Sequence, residues 1–277
     1  MKRTLCILMT INLLGIGSFF GGLRDQIKPK QPPPPSPPTI ETKEIPELNY
    51  ERPEGIHAAP DGTGKIVAIT FDDGPSGDVT THILDTLQVV GGRATFFCIG
   101  QRAKHYEETL RRMVREGHEI ASHSWSHERL TRLNNQRLEQ DLAKTARALE
   151  EYSGMESKFL RPPYGATSER MLRCTDMPVI LWSIDSEDWR YCDQLCKKRS
   201  KEQRELDFQN VVNSVLDYVR DGDIILMHDL YTFTQDVADA IIFELHHQGW
   251  ELVTVSELFA ARGIELQPGK KYYSARS

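Results

Sequence analysis

"KIVAITFDDGP" runs from Lys65 to Pro75. Its first half is an unbroken apolar run, the pattern of a strand buried on both faces. The run ends in two adjacent carboxylates, Asp72 and Asp73, and then Gly74 and Pro75 break the chain. Neighbouring side chains of a strand point to opposite faces, so two such acids are not interchangeable. Alone, the pair reads as a turn, because Asp-Gly is a turn signal. The surrounding sequence decides otherwise.

Working outward, short apolar runs alternate with amphipathic stretches. The expected strands are "KIVAITF", "ATFFCIG", "HEIASHS", "KFLRP", "VILWSID", "DIILMHD" and "WELVTV". Helical patterns fall at 78–90, 103–117, 135–154, near 208–220 and near 236–247. In the third, Leu138, Leu142, Ala146 and Leu149 recur at helical spacing. Repeated strand–helix units predict an α/β fold with a parallel sheet and helices outside. Seven strands without a Gly-rich phosphate loop favour a (β/α) barrel over an open nucleotide-binding sheet.

The remaining segments are of other kinds. Lys2 and Arg3 precede the apolar run "LCILMTINLLGIGSFFGGL", Leu5 to Leu23, which describes a secretory signal or a signal-anchor. Its length and the lack of a clear small-x-small cleavage site favour an uncleaved anchor oriented N-in, C-out. "KPKQPPPPSPPTIETKEIPE", Lys28 to Glu47, is too rich in proline for helix or sheet and reads as a semi-rigid spacer. The expected organisation is an anchor or signal at 1–24, a linker at 25–62, a catalytic domain at 63–265 and a tail at 266–277. The expected location is extracytoplasmic, tethered through residues 5–23. Mild acidity, a formal charge of -6 over 277 residues, argues against nucleic acid, and no protein partner is expected.

Cys98 reads as a buried thiol, and export permits a disulfide involving Cys192 or Cys196, with Cys174 spare. The run "KKRSKEQR", Lys197 to Arg204, reads as a solvated loop.

In parallel α/β folds chemistry gathers at the carboxyl ends of the strands. Here those ends carry Asp72 and Asp73, "HSWSH", "RPPYG", "DSEDW" and "LMHD". Helix capping explains single acids but not the histidines. His123 and His127, four residues apart, make a three-ligand metal site once a carboxylate from another strand joins them. A zinc-protease helix needs Glu directly after the first His, and here Ser124 stands there.

The five motifs "TFDDGP", "HSWSH", "RPPYG", "DSEDW" and "LMHD", in this order, resemble those of the polysaccharide deacetylases, carbohydrate esterase family four. The similarity runs roughly from Gly64 to Leu258, and "VTVSELF" resembles the close of the bacterial peptidoglycan branch. The resemblance implies a distorted (β/α) barrel and a divalent metal, zinc with cobalt or nickel as alternatives. It implies Asp73, His123 and His127 as ligands and Asp72 as general base, paired with Arg161. It also implies the Tyr164 backbone N–H as an oxyanion donor, and His228 as general acid, oriented by Asp188. Trp189 and Leu226 are the implied pocket for the acetyl methyl, and Asp185 matches the fourth motif without a defined role. The implied reaction removes the N-acetyl group of N-acetylglucosamine in an acetylated glycan, foremost peptidoglycan. Chitin oligomers, poly-N-acetylglucosamine and acetyl-xylan are alternatives. A wall-glycan-binding protein without turnover is the reading of another class, against which the intact Asp72 and His228 speak.

Overall fold

The computed structural model describes residues 65–191 and 198–276. The expected anchor and spacer, Cys192 and Cys196 lie outside these residues. β1 (Ile66–Asp72) is buried along its whole length, as its composition demands. It lies within a parallel sheet between β2 (Thr95–Cys98) and β6 (Ile224–His228). β3 (Glu119–Ser122) extends the sheet beyond β2, and β5 (Ile184–Asp185) beyond β6. β7 (Glu251–Leu252) pairs with the start of β1. Single bridges from Ser122 to Leu160 and from Leu160 to Val179 carry the sheet round to β4 (Val179–Ile180). β4 pairs with β8 (Lys271–Tyr272), and an antiparallel bridge from Ser274 to Asp223 returns to the foot of β6. The result is the expected distorted barrel.

The pleat of β1 divides the core. Val67, Ile69 and Phe71 face outward onto α1 (Asp78–Val90) and α6 (Thr232–His247), which pack together. Ile66 and Ala68 face inward with Phe97, Ala121, Ile180 and Ile224. Phe71, stacked on Phe96 at 5.2 Å, is fully buried, and its truncation to Ala costs about 3–5 kcal/mol. The inward set continues through Thr70 to Asp72, so the first acid of the pair ends the barrel's interior face.

Five expectations need correction. "KFLRP" contributes only the Leu160 bridges, and "VILWSID" splits into β4 and β5. The carbonyls of Ile180 and Leu181 accept hydrogen bonds from Arg161, which interrupts the run. The second helical pattern begins as a 3₁₀ turn, Gly100–Tyr106, before α2 (Glu107–Arg115). The third is α3 (Asn135–Ser153), closed by Gly154 at φ 78°. After α4 (Glu169–Cys174), α5 (Lys201–Leu216) starts inside the basic run expected to be a loop. Ser200 caps it by accepting from the Gln203 N–H, and the residues that follow are strong helix formers. The last helix, α7 (Val255–Ala260), opens on a capping box between Thr254 and Glu257. Beyond it, residues 266–276 are no loose tail, since they supply β8 and the buried Ala275. Among the described residues, Cys98 is buried, and neither it nor Cys174 is paired in a disulfide. No helix among the described residues is long and apolar enough to cross a membrane.

Candidate active site

The parallel register sets Asp72 beside His228, residue for residue, across β1 and β6. Asp72 faces the barrel interior, where it meets Arg161. That guanidinium is fully buried, and every arm is used. Nη1 donates to Asp72 Oδ1 and to Thr70 Oγ1, both at 2.7 Å. Nε and Nη2 donate to the carbonyls of Ile180 and Leu181, both at 3.0 Å. Its flat face lies 3.9 Å from the centre of the Phe97 ring. Burial draws the guanidinium below its ordinary pKa, and Asp72 opposes that pull. Removing the acid altogether would strand a buried charge, which typically costs about 3–5 kcal/mol.

Asp73 follows directly yet faces elsewhere. Its φ of 75° lies in the left-handed region, which non-glycine residues enter rarely and most readily as Asn or Asp. Ser124 and His127 share that conformation, at φ 67° and 61°. These turns bring Asp73 Oδ1 to 3.3 Å from His123 Nε2 and 3.2 Å from His127 Nε2. One ligand atom from each of the three lies within 4.8 Å of the others.

The protonation pattern shows what the cluster lacks. His123 Nδ1 donates to the Arg161 carbonyl at 2.7 Å, which leaves a lone pair on Nε2 of the neutral ring. Asp73 Oδ1 is buried and, among the described residues, has no hydrogen-bond partner. Acceptors therefore converge on acceptors. One carboxylate and two imidazoles with an open side are the donor set of a catalytic divalent cation, and these residues fit one. The electrostatics agree. Burial pushes Asp73 up, but the His123 contact and the charges of His123, His127 and His228 bring it down to about 2. Burial opposes charge on His123, yet Asp72 and Asp73 raise its pKa. Burial also opposes charge on His127, and there it prevails and lowers the pKa.

Asp188, fully buried, accepts from His228 Nδ1 at 2.8 Å, the His228 backbone N–H at 2.9 Å, Thr234 Oγ1 at 2.9 Å and Ser186 Oγ at 3.1 Å. Burial disfavours charge on His228, but the Asp188 hydrogen bond and charge, helped by Asp72 and Asp73, raise it to about 9. Asp185 is half-buried and accepts from the Glu187 N–H at 2.9 Å. Leu226 is buried on β6 beside Asp185, whereas Trp189 is 48% exposed. Tyr164 has φ 64° and is 59% exposed, with its ring 4.6 Å from that of His127. Gly165 beside it is obligatory, since a Cβ there would lie 2.7 Å from Trp182.

One residue set aside in the sequence belongs to this region. Asp229, which follows His228 and whose position in the sequence suits either a helix cap or a support for the site, is buried beneath the turn that follows Asp73. A Cβ at Gly74 would lie 2.1 Å from its carboxylate, so Gly74 is there to admit Asp229. Thr80 donates to that carboxylate, and Ser76 donates to the Asp229 carbonyl. Arg102 and the Ile99 N–H donate to the Pro75 and Gly74 carbonyls at 2.7 and 3.0 Å. Burial, aided by the charge of Asp73, pushes Asp229 up to about 7. Adjacency to His228 was the only sequence signal for it.

Comparison with known proteins places this geometry. Residues 59–176 match the family model described as polysaccharide deacetylase. The peptidoglycan-N-acetylmuramic acid deacetylase PdaC of Bacillus subtilis is 41% identical over 72% of this chain and 39% of its own length. The peptidoglycan-N-acetylglucosamine deacetylase PgdA of Listeria monocytogenes is 37% identical over 76% of this chain and 42% of its own. The chain thus spans about two fifths of the length of these curated relatives. A family 4 acetyl xylan esterase from Clostridium thermocellum, solved in complex with a cobalt ion, superposes with a TM-score of 0.68. It is 32% identical, with 77% of this chain and 100% of that one covered. With motif order, barrel and a relative matched end to end in agreement, the chain belongs to the polysaccharide deacetylase family.

Proposed function

We propose that this protein hydrolyses the N-acetyl group of N-acetylglucosamine in peptidoglycan and releases acetate. The observation that carries the reading is the acceptor-only cluster of Asp73, His123 and His127 beside two complete ion pairs, Asp72–Arg161 and Asp188–His228.

Asp73, His123 and His127 would hold the cation, with zinc as the first choice. The cobalt-bound relative supports a divalent metal while leaving cobalt and nickel as competitors. A divalent cation in such a site polarises the acetyl carbonyl and acidifies the attacking water. Asp72 takes the proton of that water, and Arg161 keeps it ionised and aimed. The Tyr164 N–H donates to the oxyanion as it forms. His228, kept protonated by Asp188, delivers a proton to the leaving nitrogen. An amine leaves poorly without that proton, so an imidazolium matters more for an amide than for an ester. Leu226 and Trp189 border the acetyl methyl. Residues 5–23 tether the domain outside the cytoplasm, with the proline-rich segment as its spacer.

Deacetylation of the muramic acid sugar is a second reading, favoured by the likeness to PdaC. The test is mass spectrometry of peptidoglycan fragments incubated with the purified, zinc-loaded protein. Loss of one acetyl group from the glucosamine residue is expected. Loss from the muramic residue would select the second reading. Acetate release from acetyl-xylan alone would overturn both.

A further inference from the structure

Two exposed aromatic side chains stand in the third and fourth motifs, and each carries an arginine. Arg190 lies 5.2 Å from the centre of the Trp189 ring, but Glu187 neutralises it at 2.7 Å. Arg129 lies 4.5 Å from the centre of the Tyr164 ring. Among the described residues, the Arg129 guanidinium has neither a carboxylate nor a hydrogen-bond partner. The Tyr164 ring in turn lies 4.6 Å from that of His127, a candidate metal ligand. Arg129 is half-buried, and the next residue, Leu130, is fully buried, so the backbone that bears it is anchored. A guanidinium stacked by its face keeps its in-plane N–H donors open, in the fork that matches a carboxylate. The rim is thus neutral on the Trp189 side and cationic on the Tyr164 side.

We propose that Arg129 is a specificity-determining subsite that binds a carboxylate of the substrate glycan. The inference rests on the peptidoglycan reading and deepens it. In peptidoglycan every second sugar bears a lactyl ether on carbon 3, next to the acetamido group on carbon 2. That ether ends in a carboxylate, or in a peptide that brings carboxylates of its own. Chitin, poly-N-acetylglucosamine and acetyl-xylan offer no anion to this position. Arg129 therefore separates the wall polymer from the neutral glycans the same catalytic centre would accept.

The test is calorimetric binding of glycan oligomers to the full-length, zinc-loaded protein carrying Asp72→Asn, which blocks turnover. Peptide-free muramic-containing oligomers, their peptide-bearing forms and chitin oligomers are compared. Arg129→Gln should weaken binding of the muramic oligomers about 10-fold or more, as loss of a charge-assisted hydrogen bond does. Chitin binding should not change, and Arg129→Lys should recover part of the loss. In the Asp72 wild-type background, KM for the muramic oligomers should rise with kcat retained. An effect confined to the peptide-bearing arm assigns the carboxylate to the peptide, and one present in the peptide-free arm assigns it to the lactyl group. Equal loss for chitin and muramic oligomers would mean that Arg129 only braces Tyr164 and would overturn the proposal, as would no loss for either. Arg129-dependent binding with no acetate released by the wild type would retain the subsite and sink the catalytic reading instead.

Discussion

Asp188 and Asp73 each set a carboxylate against imidazole, and they are opposites. Every contact of Asp188 is a donor: a ring nitrogen, a backbone N–H and two hydroxyls. The chain completes that pair by itself. Asp73 Oδ1, equally hidden, meets two ring nitrogens and no donor. Buried polar atoms are otherwise almost always satisfied, so this one marks a place for a guest. The difference teaches which acid orients a catalytic group and which holds a cation. It also says what each mutation should break.

The largest effect is expected on the incomplete side. Asp73→Ala removes the shared ligand, so metal analysis of the purified variant should find the site empty and acetate release abolished. Asp72→Asn should separate the neighbours. It keeps an acceptor for Arg161 and leaves the three ligands intact, so zinc content stays at the wild-type level. Loss of the base should cut kcat by about 10²–10⁴-fold. Zinc lost from Asp72→Asn, or retained in Asp73→Ala, would reverse the assignment.

On the complete side the effect is a displaced pH profile. His228 must be protonated to act, so activity falls as pH rises through its pKa. Asp188→Asn removes the main influence holding that pKa near 9, and the alkaline limb of kcat/KM should move to lower pH. The same shift stabilises the fold. A histidine raised from about 6.5 to about 9 contributes fully below 6.5 and loses its contribution as pH rises through 9. The excess Tm of metal-stripped wild type over His228→Asn should follow that course. An alkaline limb unmoved in Asp188→Asn would show that another group supplies the proton.

Chelation sharpens the contrast at lower cost. Metal at a hundredfold excess over its Kd stabilises the folded state by about 2.7 kcal/mol, so chelator should lower Tm in wild type and leave Asp73→Ala unchanged. The smallest effect belongs to Trp189, already 48% exposed. Trp189→Ala should raise KM by up to about 10-fold, the scale of a small apolar contact, with Tm unmoved.

Much of the site could be read in the residues because strand ends and motif residues coincide in this fold. Alternation in β1 told that Asp72 and Asp73 differ, but not how the second reaches the same site. A left-handed backbone at Asp73 does that, and no residue pattern announces it. From the resemblance, a pairing of Arg161 with Asp72 followed. That its donors would claim the carbonyls of Ile180 and Leu181 and split a strand did not. Asp229 stayed hidden because its partner, Gly74, is some 150 residues away, and a glycine gives no sign of what presses against it.

Sequence alone determined the alternation of strands and helices around the main parallel strands, the two faces of β1 and the identity of the chemical groups. Side-chain period and residue chemistry are local properties, and local properties survive in one dimension. Tertiary structure decided which groups are satisfied and which are left waiting. Register aligned Asp72 with His228, the 266–276 segment brought β8 to the barrel, and burial left Asp73 Oδ1 without a donor. Hydrogen-bond satisfaction is a property of three-dimensional neighbours, and in this protein the neighbours come from distant ends of the chain.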